Sequence, residues 1–195
     1  RQIALRRLGD LRDDSLIEPL TELLLEADGQ LALEYLWALN LSGGFNEQIA
    51  ARAIKHRDPF VRAWTVRLLC DDRQVSQATA NRLAKLATTE PNVEVRCQLA
   101  CSARRLPAAQ AMPIVKQLLT RSEDISDVFM PLSIWWAIEA NAENGRGEVV
   151  KLFRDPAVWE LPLVQQHIAD RAVRRYAMAG TRRDLLTCAE LFSLA

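Results

Sequence analysis

Apolar residues recur with a period of about 3.6 along nearly every stretch longer than eight residues, and strict alternation is sustained nowhere. That pattern confines the chain to an all-α fold, because a half-buried strand needs period two. The breaks between stretches carry helix punctuation. Ser15 with Glu18 reads as a capping box, and Thr181 with Asp184 as a weaker version of one. Asp58-Pro59 sets an N-cap acid before a proline at the first helical position, where the missing N–H costs nothing. Gly43-Gly44, Asn144-Gly145 and Gly180 mark stops or turns, and Gly9 reads as the glycine cap of an opening helix. The spacing predicts ten or eleven helices, over 16–26, 30–42, 46–56, 60–71, 76–88, 93–105, 108–120, 131–143, 146–153, 162–178 and 182–194.

Composition narrows the class. A chain of 195 residues suits one domain or a short repeat array. Lys plus Arg equals Asp plus Glu at 25 each, which weighs against a dedicated nucleic-acid binder, whose affinity needs a basic surface facing phosphates. With 49% hydrophobic and 26% charged residues the mixture is that of an ordinary globular protein rather than a disordered one. No apolar run approaches the roughly 20 residues that span a bilayer. The first residue is Arg1 and the last helical pattern stops without a tail, so 1–195 is expected to be a single repeat domain excised from a longer chain.

Self-similarity appears inside the helical pattern. Asp58-Pro59-Phe60-Val61-Arg62 recurs loosely as Glu90-Pro91-Asn92-Val93-Glu94-Val95-Arg96, each leading into a helix of small and apolar residues. Aligning the two Val-Arg pairs gives an offset of 34 residues, from Arg62 to Arg96. Glu18-Pro19-Leu20 is echoed by Met112-Pro113-Ile114 at an offset of 94, close to three such periods.

An acid and a proline ahead of Val-Arg at the opening of a second helix, with a proline inside some first helices, resembles HEAT repeats. The resemblance implies a right-handed α-α superhelix, a HEAT or armadillo-like solenoid of about five helical pairs. In it the acids Asp58 and Glu90 cap helices, and Arg62 and Arg96 form a ladder reaching carboxylates or carbonyls of a neighbouring unit. A compact, non-repeating helical bundle is the competing arrangement. The runs Val61–Leu69, Glu94–Pro107 and Pro131–Glu139 are also similar to the helical-repeat region of bacterial membrane-bound dehydrogenase-like proteins with a PVC-type haem-binding (c-type cytochrome) domain. That similarity implies a propeller before the repeats, a cytochrome domain after them, and a periplasmic or envelope location, with a cytoplasmic one as the alternative. The segment has no Cys-x-x-Cys-His, so no cofactor is expected here and haem c would be held elsewhere in the parent chain.

Motifs for chemistry are sparse, and no catalytic residue is assigned. The four cysteines include no CxxC, neither His56 nor His167 lies near one, and no metal site is expected. Cys97 and Cys101 share one helix face and read as reduced, buried packing residues. Gly145-Arg146-Gly147 matches half of a dinucleotide fingerprint, but follows a helix and lacks the third glycine.

Tryptophan and arginine are the distinctive residues. Trp37, Trp64 and one of Trp135 or Trp136 fall at comparable places on second helices, which line the concave side of HEAT arrays. Adjacent Trp135 and Trp136 point about 100° apart, so one is expected to pack between helices and the other to approach a surface. Core packing and an aromatic anchor for a partner are both open for them. Arg171, Arg174, Arg175, Arg182 and Arg183, opposed by Asp170 and Asp184, form either a phosphate or acidic-partner patch, or a solvated face or inter-domain contact. The expected function is a non-catalytic interaction or spacer module contacting proteins or neighbouring domains through Trp64, Arg67, Arg104, Trp136 and Glu139. A HEAT-like alkylpurine DNA glycosylase and a cytosolic HEAT scaffold are the alternatives, and zero net charge disfavours the first.

Overall fold

The computed structural model describes residues 2–195, the side chains of residues 2 and 4 excepted. Every regular element among them is helical, with thirteen α-helices and no strand. The chain divides into two compact units, Arg1–Asp71 and Asp72–Ala195.

The first unit comprises α1 (Gln2–Leu11), a 3₁₀ turn (Asp14–Leu16), α2 (Ile17–Glu26), α3 (Gly29–Leu41), α4 (Glu47–Ala53) and α5 (Pro59–Leu69). Helices α2 and α3 pair, as do α4 and α5; α2 packs on α4, while α3 packs on both α1 and α5. The apolar stripes of these helices meet in one core of Leu24, Ala32, Leu36, Leu39, Ile49, Ala53 and Val61, with Trp64 and Leu68 against it. Burying a leucine such as Leu24 or Leu36 contributes about 1.5–3 kcal/mol each.

The second unit holds α6 (Gln77–Thr89), α7 (Val93–Ala103), α8 (Ala108–Leu119), α9 (Met130–Ala140), α10 (Arg146–Phe153), α11 (Pro156–Trp159), α12 (Ala169–Ala179) and α13 (Arg182–Leu194). Helices α6, α8, α10 and α13 follow one another as one layer. Helices α7, α9 and α12 form the other, and contacts of α7 with α8, α8 with α9 and α12 with α13 join the two. Packing of every second helix is what an amphipathic helical pair produces when neither member can bury its stripe alone.

Local chemistry explains most boundaries. Pro59 opens α5, with Asp58 accepting a hydrogen bond from Phe60 N at 2.8 Å. Thr181 caps α13 by accepting from Asp184 N at 3.2 Å. Gly180 closes α12 in the left-handed region at φ 70°, which only glycine adopts without strain.

Four expectations are corrected. Helix α1 runs through Gly9 to Leu11, and Arg12, at φ 45°, makes the left-handed turn instead. Ser15 does not cap α2: Asp13 accepts from its N–H and its hydroxyl, winding residues 14–16 into a 3₁₀ turn first. Glu90 is not the N-cap of α7; Asn92 is, accepting from Glu94 N and Val95 N. The helix expected over 162–178 is broken by a π-helical turn, Val164–Ile168, ahead of α12.

Candidate functional site

The loops ahead of α5 and α7 are fastened in the same way. Arg62 donates from Nη1 to the carbonyls of His56 and Arg57, six and five residues back, at 2.8 and 3.0 Å. Arg96 repeats this with Glu90 and Pro91 at 3.0 and 2.8 Å. His56 Nδ1 accepts from Asp58 N at 3.0 Å, and Glu90 Oε1 accepts from Asn92 N at the same distance. His56 thus carries its proton on Nε2, which donates to Ala27 O at 3.1 Å. In the first unit Asp58 also accepts from Gly29 N at 3.0 Å, tying adjacent loops together.

In the second unit Arg96 also reaches a more distant segment. Arg96 is buried and grips buried Asp124 with two nitrogens, Nε at 2.7 Å and Nη2 on the other oxygen. Hydrogen bonding to Asp124 raises the Arg96 pKa further, against the effect of burial. Arg121 donates back to Thr88 O at 2.6 Å and to Glu90 O at 3.0 Å. Asp124 and Arg121 were missed in the sequence, although one more 34-residue step past Glu90 reaches Asp124. Further along, Arg146 donates to Asp184 at 2.5 Å and to Thr187 Oγ1 at 2.9 Å, and lies over the buried Tyr176 ring at 5.0 Å. His167 bonds Ile125 O at 3.1 Å. Both histidines therefore fasten loops.

The five residues expected to meet a partner fall into two clusters, one in each unit. In the first, the Arg67 guanidinium lies over the Trp64 ring at 5.0 Å, and Trp64 meets Trp37 edge-on at 5.2 Å. Arg67 is exposed while Trp64 is half-buried against the core. In the second, Arg104 lies over Trp136 at 5.8 Å, and Glu139, one turn further along α9, faces Arg175 at 3.7 Å. Trp136 is 42% exposed, whereas Trp135 is half-buried. The adjacent pair thus divides between surface and packing as its 100° separation requires. Trp135, Arg171, Arg174, Arg175 and Met178 line an open hollow of about 200 Å³ beside it. The arginine cluster is partly neutralised, with Arg174 paired to Asp170 at 2.9 Å.

The cysteines depart from the buried reading. Cys70 and Cys188 are buried, but Cys97 is half-buried and Cys101 exposed. Cys97 Sγ lies 3.7 Å from Ser133 Oγ on α9. Gly145 opens α10 as its N-cap, in a helix-to-helix turn. A Cβ on it would stand 2.2 Å from the Ala108 Cβ, so close packing against α8 explains the glycine.

Among the described residues no three His, Cys, Asp or Glu side chains cluster as metal ligands, and no helix is long and apolar enough to cross a membrane. Compared with known protein families, curated proteins and solved structures, the chain matches none.

Proposed function

We propose that the chain is a HEAT-type helical-repeat module that holds protein partners or neighbouring domains of its own parent chain, without a reaction of its own. The observation that carries this is the Arg104–Trp136 pair. A large aromatic ring stays 42% exposed on α9 with a guanidinium over its face, while the opposite side of the same helix is buried. An amphipathic ring beside a cation is the kind of group that dominates binding energy at protein interfaces. Arg67 over Trp64 supplies the same chemistry in the first unit. The two-layer packing of alternate helices and the Arg62 and Arg96 loop contacts support a superhelical repeat, in which second helices present such side chains on one face.

The wider assignment, a spacer within a multidomain envelope dehydrogenase of cytochrome type, rests on the resemblance of the runs Val61–Leu69, Glu94–Pro107 and Pro131–Glu139. Hydroxyl-radical footprinting of the isolated chain and of the full-length product tests the interaction reading. Trp136 should be oxidised in the former and protected in the latter, with Trp159 unchanged. Equal oxidation of Trp136 in both removes the inter-domain contact. Staining the full-length product for covalent haem on a denaturing gel tests the wider assignment separately, since a haem-negative band leaves a HEAT module of another parent.

A further inference from the structure

We propose that the exposed ridge of α9 receives an acidic peptide segment, whose carboxylates meet Arg104 and Arg171 and whose bulky apolar side chain enters the hollow beside Trp135. This names the occupant of the docking face proposed above and rests on that reading.

Three helices of one layer build the surface, with α9 packed against both α7 and α12. Trp136 lies under the guanidinium of Arg104, which caps the C-terminal end of α7. Its neighbour Trp135 forms a wall of the open hollow of about 200 Å³ that α12 completes with Arg171, Arg174, Arg175 and Met178. Met178 is 79% exposed, so a large apolar side chain stands in water beside an aromatic wall. A thioether there adapts to apolar groups of different shape.

The charges around these apolar groups are unbalanced. Arg174 is paired with Asp170 at 2.9 Å, and Arg175 lies 3.7 Å from Glu139. Arg171 pairs with no carboxylate among the described residues, and Arg104 contacts the Trp136 ring but no carboxylate. Two guanidiniums are thus left over, one at the end of α7 and one on α12. Each can take a carboxylate in a two-point hydrogen-bonded pair. Free cations beside an exposed aromatic and a thioether complement a ligand that is anionic and partly apolar, and complementarity of that kind selects partners.

Nucleic acid is the poorer complement. Asp170 and Glu139 stand on the same surface and repel a backbone that carries one charge per about 1.7 Å of duplex. A peptide can instead set carboxylates at the two free arginines and uncharged residues opposite Asp170 and Glu139.

The test titrates the whole chain against fluorescein-labelled short peptides, read by anisotropy. The peptides combine Asp or Glu with Leu, Phe or Trp at every spacing up to about four residues, each with an Asn or Gln counterpart. The best acidic peptide should bind about tenfold more tightly than its amide counterpart, and more weakly as salt is added. Arg171→Glu, at an exposed position, should remove about that tenfold, while Arg182→Glu, the same charge change on α13, should leave binding unchanged. Trp136→Ala should weaken binding about thirtyfold. Three results overturn the proposal: no acidic peptide binding better than its amide counterpart, an acid preference untouched by Arg171→Glu, or tighter binding of a labelled single-stranded oligonucleotide than of any acidic peptide. With Trp136 protected in the full-length product, these results remove only the acidic occupant; absence of that protection removes the docking face itself.

Discussion

Arg96 and Asp124, twenty-eight residues apart, form a two-point ion pair in which both side chains are at least 96% buried. The same guanidinium satisfies two loop carbonyls, so one side chain holds three segments of the second unit. Removing one partner strands a desolvated charge. Arg96→Met or Asp124→Ala should lower stability by about 3–5 kcal/mol, read as a fall in the urea midpoint at unchanged slope. The exposed Arg57–Asp28 pair is the control: Arg57→Ala should cost about 1 kcal/mol or less. Equal losses at the two positions would contradict a strongly coupled buried ion pair.

Glycines two residues apart should respond in opposite directions. Gly145→Ala drives a methyl into Ala108 and should destabilise by about 1–3 kcal/mol. Gly147 has open space around its Cβ position and lies inside α10, so Gly147→Ala should stabilise by up to about 1 kcal/mol. Thermal melts of both variants decide it.

Two tryptophans differ in their ring N–H. Trp159 Nε1 donates to Phe153 O at 2.7 Å, whereas the buried Trp37 Nε1 makes no hydrogen bond among the described residues. Trp159→Phe should cost about 1–3 kcal/mol by leaving a carbonyl unpaired. Trp37→Phe loses ring area but also removes an unsatisfied donor, and should cost less. Denaturant curves showing the reverse order would be inconsistent with this bonding.

Acid should loosen the contact of α10 with α13. Asp184 is held below the usual aspartate value of 3.8 by the Thr181 hydroxyl and then by Arg146. A carboxyl whose folded pKa is depressed contributes stability above its unfolded pKa and loses it as pH falls through the folded one. The urea midpoint should therefore be flat down to about pH 5 and decline below about pH 4. Asp184→Asn should flatten that decline. An unchanged acid limb in the variant would show that other carboxylates control it.

Legibility in the sequence followed the range of each interaction. The 34-residue offset between Arg62 and Arg96 was readable because each arginine folds back onto carbonyls five and six residues away, a contact fixed by the local loop. The Asp58-Pro59 helix start was readable for the same reason. Glu90 was misread as a cap because its acid-proline motif resembles Asp58-Pro59, while the register aligns it with His56; both accept from an N–H two residues on.

By itself, then, the sequence determined an all-helical chain, the approximate positions of its helices and the recurrence of an arginine-fastened loop. These follow from hydrophobic period, caps and backbone contacts within about six residues. Tertiary structure alone decided that Arg96 closes on Asp124, that Trp136 rather than Trp135 faces solvent, that Cys101 is exposed while Cys70 is buried, and that Ala108 forces glycine at 145. Each depends on which distant segment packs alongside, and a helical periodicity gives a face to bury without specifying what covers it.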